Sequence, residues 1–252
     1  MKLEHSVMQK LNISIDDVSP HPLSGIDVVD RCFEVLEHFP DAKFTLFVPT
    51  AYWRTMKTPG RPDTTTPRAL YLREHPEFCD RLASLPRSNF EIGYHGRFHG
   101  IPNVSNNDEL RSLDRRRCEM LWCEMQRDIE LANLGSLFTQ TIRPPAMYMS
   151  PAAIQFFADL DMTLALSPRD VHMRSYGSAV ADNIDKVVFA NAWAPDDEFS
   201  NLPQSDNIEI LYHACTWDGG YFDTAKVTTL LKWLEQHPVE FSFINGMRRK
   251  QS

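Results

Sequence analysis

The sequence predicts an α/β fold in which about seven parallel strands alternate with helices and close, or nearly close, into a (β/α) barrel. Short segments with strand-like patterns alternate along the 252 residues with longer segments that carry apolar residues at helical spacing. Neither an internal repeat nor a low-complexity linker interrupts this alternation, so one domain (1–252) accounts for the whole chain. Several acidic and imidazole side chains follow predicted strands, and in barrels the functional residues gather at the carboxyl ends of strands.

The predicted strands are short segments with apolar or alternating patterns, bounded by polar or turn-forming residues. They lie at 11–15, 43–49, 90–94, 141–143, 163–167, 186–191, 208–213 and 241–244. The first strand ends at Asp16 and Asp17, the third at His95, and the strand 208–213 ends at His213. The opening succession of strand, helix and strand is typical of a parallel fold.

The predicted helices carry apolar residues three and four positions apart, and some of their ends carry capping signals. Asp108 and Glu109 would stabilise the first turn of the helix 107–134, and Ser150 followed by Pro151 is typical of a helix start. The helices lie at 26–38, 70–85, 107–134, 150–159 and 224–236.

Residues 52–68 form a polar segment with three consecutive threonines, three prolines and one glycine. A connection of this length is predicted to be either a lid over a functional site or a solvated linker. Together with the helix that follows, it forms a loop and helix insertion at about 52–88.

The composition argues against several classes of function. A formal net charge of −8 is unlike that of nucleic-acid-binding domains, which present a basic surface. The chain opens without a secretory signal pattern and contains no apolar stretch long enough to cross a membrane. The five cysteines are odd in number and show no CxxC spacing, so the sequence predicts reduced thiols and a cytoplasmic protein.

The acidic and imidazole residues that follow strands would meet at one rim of the barrel. His95 and His99 are four residues apart, which on a helical turn places both rings on one face and lets them share a divalent ion. One carboxylate of the Asp16–Asp17 pair would complete a three-ligand set with open positions, and the other could take a proton from water. Two ordinary surface histidines and an exposed acidic turn are the alternative interpretation.

Four segments resemble, in sequence and in order, the motifs of the polysaccharide deacetylases, carbohydrate esterase family 4 (CE4). SIDDVS at 14–19 resembles the first motif, T/S-F-D-D-G, and EIGYHGRFH at 91–99 resembles the second, the H-x-x-x-H metal site. RPP at 143–145 resembles the third motif, and ILYH at 210–213 resembles the last, an apolar strand that ends in histidine. The resemblance implies a distorted, partly closed (β/α) barrel that hydrolyses an acyl group, above all N-acetyl, from a sugar.

The resemblance also implies a role for each matching residue. Asp16 would be the general base, oriented by Arg143, and His213 would protonate the leaving amine. One divalent metal ion, with zinc preferred over cobalt, nickel, iron or manganese, would bind a set of three side chains. These are Asp17, His95 and His99. The backbone N–H near Ala146 would help to stabilise the oxyanion.

The chain departs from the family pattern at several positions. Val18 stands where the family often has glycine, and Ala146 replaces the aromatic residue common after the third motif. The family's fourth motif, an aspartate that tunes the catalytic histidine, has no clear match, and Asp197 and Asp218 are its candidates. The interval from Asp17 to the second motif is also long, because of the insertion.

The remaining candidates would contact the substrate. WDGGY at 217–221 could form a sugar-stacking loop through Trp217, Asp218 and Tyr221, or simply a glycine turn beside a packed tryptophan. Trp193 or Trp217 could replace the aromatic wall that Ala146 lacks, and a loop with His172 and Tyr176 could reach the rim.

The sequence therefore predicts a metal-dependent carbohydrate deacetylase. Its substrate would be an acylated sugar, such as a nucleotide-linked or lipid-linked precursor or a small amino sugar. Two alternatives remain open at this stage, a non-catalytic carbohydrate-binding relative and a metal-dependent hydrolase of a non-sugar amide or phosphoester.

Overall fold

The computed structural model describes residues 8–60, 62–193, 199 and 205–249. Its strands are β1 (Lys10–Asp16), β2 (Phe44–Val48), β3 (Ala51–Tyr52), β4 (Leu70–Tyr71), β5 (Phe90–Tyr94), β6 (Phe138–Ile142), β7 (Thr163–Leu166), β8 (Val187–Phe189), β9 (Ala192–Trp193), β10 (Asn207–His213) and β11 (Glu240–Phe241). Its α-helices are α1 (Val28–His38), α2 (Pro76–Ala83), α3 (Arg115–Leu131), α4 (Pro151–Asp159), α5 (Asp170–Tyr176), α6 (Ala179–Asp182) and α7 (Thr224–Gln236). Among the described residues, no helix combines the length and the apolar character needed to cross a membrane.

The main sheet is parallel and curls into a partly closed barrel. Its strand order is β8-β7-β6-β5-β2-β1-β10-β9, and β11 pairs with the start of β1. The two ends of this order, β8 and β9, are separated in the chain only by Ala190 and Asn191, so the edges of the curled sheet lie close together. The predicted distorted, partly closed (β/α) barrel is confirmed, with a path of eight described strands rather than seven.

The strand β1 shows how the barrel separates its two faces. Leu11 and Ile13 are fully buried in the main hydrophobic cluster, which also contains residues of α1 and α7. Asn12 and Ser14, on the other face, are equally buried, and the Ser14 hydroxyl donates to Glu209 Oε1 at 2.7 Å. The alternation of apolar and polar residues therefore distinguishes a helix-covered outer face from a polar barrel interior.

The register of the central strands brings the candidate residues to one rim. Asp16 is paired with His213 across β1 and β10. Between β5 and β6 the register shifts before Tyr94 pairs with Ile142, so His95 and Arg143 follow neighbouring strand ends. Because the strands are parallel, their carboxyl ends open onto the same side of the barrel.

Two predicted helices begin later than their sequence pattern indicated. The segment 70–85 starts with β4 and a 3₁₀ turn (Leu72–Glu74), and α2 begins only at Pro76, since the residue before a proline disfavours helical geometry. The helix predicted at 107–134 begins at Arg115, after Asp114 accepts a capping hydrogen bond from the Arg117 N–H at 2.8 Å. The short helices α5 and α6 had no predicted counterpart.

The predicted strand 241–244 is also wrong in its extent, because β11 ends at Phe241. A 3₁₀ turn (Ile244–Met247) follows, and it packs with Phe47 in a small apolar cluster that also contains residues of β7 and β8. The Ile244 N–H donates to the buried Glu91 carboxylate at 2.9 Å. The end of the described chain thereby helps to fill the barrel interior.

The described residues of the long segment after β3 form a hydrogen-bonded loop, unlike a solvated linker. Its base is closed by antiparallel pairing of β3 with β4. Within it, the Thr66 N–H donates to the Arg54 carbonyl at 2.7 Å. Met56 and Asn106 exchange two hydrogen bonds, of 3.0 and 2.7 Å, so the loop is attached to the segment that follows His99.

Candidate metal centre and active site

Asp17, His95 and His99 form a compact cluster after the ends of β1 and β5. Asp17 Oδ1 lies 2.8 Å from His99 Nε2 and 3.4 Å from His95 Nε2. The three potential ligand atoms lie within 4.8 Å of one another, and all three residues are buried. The structure thus places the three predicted ligands at distances at which they could bind one ion.

Each imidazole ring is oriented by its other nitrogen. His95 Nδ1 lies 2.9 Å from the Arg143 carbonyl oxygen, and His99 Nδ1 lies 2.6 Å from the Asn106 carbonyl oxygen. Because a carbonyl only accepts, Nδ1 carries the proton in each neutral ring and Nε2 presents a lone pair. Asp17 Oδ1 faces both Nε2 atoms and is buried, and with both rings in this neutral form it accepts no hydrogen bond in the described part of the chain. Two lone pairs and an unpartnered carboxylate oxygen fit a bound cation, with the two carbonyl contacts holding its ligands in place.

A proton competes with a metal ion for this position. Burial acts to lower the pKa of His99, but the adjacent Asp17 carboxylate outweighs burial and raises that pKa. Burial likewise acts to raise the pKa of Asp17, but the two histidines hold it well below its usual range. Occupation by a cation therefore requires that His99 Nε2 loses its proton.

The two histidines lie in a loop, and their expected placement on a helical turn is wrong. Residues 95–99 contain two positive φ angles, 74° at Gly96 and 70° at His99. Glu109 holds this loop by accepting the N–H groups of Arg97 at 2.6 Å and Phe98 at 2.9 Å. A Cβ atom at position 96 would collide with the Glu109 carboxylate, so both the φ angle and the close approach require glycine.

Asp16 is held by a buried arginine. Arg143 Nη1 donates to Asp16 Oδ1 at 2.7 Å and to the Ser14 hydroxyl oxygen at 2.9 Å. Arg143 Nη2 donates to Glu209 Oε1, and the guanidinium lies over the Phe47 ring, 4.2 Å from its centroid. Arg143 and Glu209 have no solvent-exposed surface. The position of Asp16 is thus fixed by a network that extends across the barrel interior.

The summed charge of four buried residues of the site, Asp16, Asp17, Glu209 and Arg143, also fits a divalent cation. Asp16, Asp17 and Glu209 are buried carboxylates, and Arg143 is the buried cation among them. When all four are ionised, two negative charges are left uncompensated. Because burying unpaired charge is costly, a bound ion of charge +2 would remove this imbalance.

His213 faces an acidic neighbour. Its Nδ1 lies 3.4 Å from Asp218 Oδ1, which is an electrostatic contact longer than an ordinary hydrogen bond. The Gly220 N–H donates to the same Asp218 oxygen at 2.8 Å and fixes the carboxylate. Asp218, one candidate for the family's fourth motif, thus lies beside His213, while Asp197, the other candidate, lies outside the described residues.

Cys215 contacts the second oxygen of the candidate ligand Asp17. Its Sγ donates to Asp17 Oδ2 at 3.2 Å. Burial raises the pKa of the Cys215 thiol well above its usual range, and the nearby Asp17 carboxylate adds to this effect. Cys215 is therefore a protonated donor that orients Asp17 rather than a nucleophile.

These groups open onto one cavity of about 530 Å³, a size common for small-molecule sites. Of the predicted substrate-binding residues, Ala146, Trp217 and Asp218 line this cavity. Tyr221 is not among the lining residues and packs instead against the hydrophobic core. Ala146 has φ 48° and lies in the short turn after β6, in the left-handed region, where residues other than glycine are strained and which is enriched at functional sites.

An aromatic wall lies on another side of the cavity. Trp193 and His172 both line it, with their rings parallel and their centroids 6.2 Å apart. Arg169 lies over the Trp193 ring at 3.9 Å. Tyr176 lies deeper, where its hydroxyl donates to the Met147 carbonyl and supports the turn that carries Ala146. His172 and Trp193 thus reach the rim, whereas Tyr176 supports it from below.

Sequence reasoning missed Glu209, Arg54, Cys215 and Glu109 as parts of the site. One signal was present for Glu209, an acidic residue inside the otherwise apolar strand β10, which needs a buried partner. Arg54 belongs to the polar segment after β3, where a sequence gives no indication that one arginine among several lines the cavity. Cys215 and Glu109 become recognisable only through their contacts.

No family model matches the sequence, and no curated protein matches it. Solved structures do match the fold. A structure described as "T48 deacetylase with substrate" is 14% identical, with a TM-score of 0.51 over 94% of this chain and 89% of that chain. The chitin deacetylase of the fungal pathogen Colletotrichum lindemuthianum is 12% identical, with a TM-score of 0.52 over 94% of this chain and 86% of that one.

A third match is a CE4-family pseudoenzyme from Bacillus anthracis, 16% identical, with a TM-score of 0.51 over 94% of this chain and 65% of that chain. A mutant of that protein, described as having restored enzymatic activity, matches equally well. At these identities the similarity establishes a shared fold. The predicted resemblance to CE4 deacetylases is confirmed at that level.

Proposed function

We propose that the protein is a metal-dependent hydrolase that removes an acyl group, in the first instance N-acetyl, from a sugar or a sugar-containing biosynthetic precursor. One observation carries the proposal, the convergence of a three-ligand cation site, an arginine-held carboxylate and an aspartate-paired histidine on a single cavity. The fold that the chain shares with CE4 deacetylases supports it.

Asp17, His95 and His99 would hold the metal ion, and zinc is the first choice because two imidazoles and one carboxylate with open positions suit it. Cobalt, nickel, iron and manganese are compatible with the same donor atoms. When bound, such an ion supplies Lewis-acid chemistry, in which the acyl carbonyl is polarised and the attacking water is acidified. The two imidazole–carbonyl contacts keep the ligands oriented.

The protein's own side chains would move the protons. Asp16 would accept a proton from the attacking water, and Arg143 would hold this carboxylate in position. His213, paired with Asp16 across β1 and β10, would donate a proton to the leaving amine. Asp218, whose Oδ1 lies 3.4 Å from His213 Nδ1, would orient the imidazole ring toward the leaving group. The backbone N–H near Ala146 would stabilise the developing oxyanion.

The chain as a whole would be one catalytic domain with an insertion at about 52–88, because a single hydrophobic cluster runs from Leu11 to Leu234. All five cysteines are free thiols, which supports a reducing, cytoplasmic setting. A small amino sugar or a nucleotide-linked or lipid-linked sugar would be available there.

The pseudoenzyme among the matching folds gives a specific reason to test a second function, carbohydrate binding without catalysis. The presence of both candidate proton-transfer groups, Asp16 and His213, favours the hydrolase. A two-metal phosphoesterase is less compatible with the site, since the described residues contain one candidate metal cluster.

The test is acetate release by zinc-loaded protein from N-acetylglucosamine, its oligomers and nucleotide-linked N-acetylglucosamine, with 4-nitrophenyl phosphate as the phosphoester. The proposal predicts acetate from at least one sugar, abolished in Asp16→Asn. Sugar binding without acetate release would support the binding relative, and cleavage of the phosphoester alone would support a different hydrolase.

A further inference from the structure

We propose that Arg54 forms a subsite for an oxyanion, namely a phosphate or carboxylate group carried by the acylated sugar. That the ligand is an acylated sugar rests on the proposed function. Arg54 lies in the loop after β3 and is 7% exposed. It lines the cavity that contains Asp17 and His99. The loop thus contributes a cation to the site.

The contacts of the Arg54 guanidinium are all neutral. Nε donates to the Thr64 hydroxyl oxygen at 2.8 Å, and Nη2 donates to the Thr58 hydroxyl oxygen at 3.2 Å. The Trp217 ring lies 5.1 Å from the guanidinium carbon. These contacts fix the plane of the guanidinium.

Arg54 differs in this respect from Arg143 and Arg97, two other arginines that are packed near the site. Arg143 is paired with Asp16 and Glu209, and Arg97 is paired with Asp128 and Glu124. No carboxylate of the described chain forms an ion pair with Arg54. Because a buried cation without an anion is unfavourable, a ligand anion is the missing partner.

The charge of the metal centre strengthens this inference. A divalent ion would balance the two uncompensated negative charges of Asp16, Asp17, Glu209 and Arg143, so the charge of Arg54 would then be in excess. Arg169, over the Trp193 ring, is a second cavity-lining arginine without a carboxylate partner among the described residues. Phosphate and carboxylate groups match the planar fork of a guanidinium.

Isothermal titration of zinc-loaded protein would test the subsite, with N-acetylglucosamine, N-acetylglucosamine 1-phosphate and N-acetylmuramic acid as ligands. At least one charged sugar should bind about 10- to 100-fold more tightly than the neutral sugar, the size expected for charge-assisted hydrogen bonds. The two charged sugars distinguish a phosphate from a carboxylate. Arg54→Met should abolish the preference, and Arg54→Lys should retain part of it.

Arg68→Met is the matched control, because Arg68 lies in the same insertion, is exposed and pairs with Glu74. It should keep the full preference. The subsite would be overturned if charged and neutral sugars bound equally, or if the preference for the charged sugar persisted in a folded Arg54→Met protein. Arg54→Lys and Arg54→Gln serve as milder substitutions, and an unchanged preference in both would overturn the subsite as well. A preference that depends on Arg54 without any acetate release would support the subsite and count against the hydrolase.

Discussion

Replacing Glu209 with glutamine should slow catalysis without removing the metal. Glu209 Oε1 accepts from Arg143, while Glu209 Oε2 has no hydrogen-bond partner, so the amide oxygen can keep the contact and only the charge is lost. A hydrogen bond to a charged group contributes about 1–2 kcal/mol more than a neutral one. If Arg143 and hence Asp16 are misplaced, and the whole of this interaction energy is lost in the transition state, kcat falls by about 5- to 30-fold.

The assay compares kcat for acetate release with zinc content and thermal unfolding. Glu91→Gln is the matched control, since Glu91 is also a buried glutamate inside the barrel, hydrogen-bonded by Thr45 at 2.7 Å and the Ile244 N–H at 2.9 Å. Burial raises the pKa of Glu91, and its contacts do not involve Arg143. Its variant should keep kcat within about twofold, a difference worth less than 0.5 kcal/mol. Equal rates in wild type and a folded Glu209→Gln, or loss of zinc from that variant, would refute this account of Arg143.

Three further predictions concern the ligands and the loop that holds them. Asp16→Asn should keep the metal and lose about 10²- to 10⁴-fold in kcat, whereas Asp17→Ala should lose both; full activity of Asp16→Asn would reject the general-base role. Zinc affinity should rise with pH through the raised pKa of His99, with release of a proton measurable in weak buffer below that pKa; affinity that does not change with pH would contradict the Asp17–His99 pairing. Burial raises the pKa of Glu109 from 4.5 to about 7. Its contribution to the free energy of unfolding of the metal-free protein is therefore fully present below pH 4.5, and about 3 kcal/mol of it is lost as the pH rises to 7. Urea unfolding in EDTA should show this decline in wild type and less of it in Glu109→Gln; identical pH slopes would exclude it.

The rim of the barrel was predictable because strand ends are visible in a sequence. Asp16 and His213 each end a strand, and parallel pairing of β1 with β10 then places them side by side. The alternation in β1 correctly indicated a strand. Whether the polar face of β1 points into the barrel or to solvent was not predictable, because both arrangements give the same alternation of apolar and polar residues in one strand.

The groups that tune the site depend on contacts between distant segments. Arg54 and Trp217 are 163 positions apart in the sequence, and their guanidinium–ring contact exists only once the loop after β3 has packed. The start of α3 was misplaced because Asp108 and Glu109 look like a helical first turn. Glu109 instead accepts the N–H groups of the histidine loop, a tertiary contact that outweighs local preference.

The proposed function depends on the binding of one divalent ion by Asp17, His95 and His99. Metal analysis of the purified protein, wild type beside His99→Ala, tests it most directly. We expect about one equivalent of a divalent ion in the wild type, and loss of most of it when one of the three ligands is removed. A wild type that holds no metal and takes up neither Zn²⁺ nor Co²⁺ when these are added, or a folded His99→Ala protein that binds metal as well as the wild type, would contradict it.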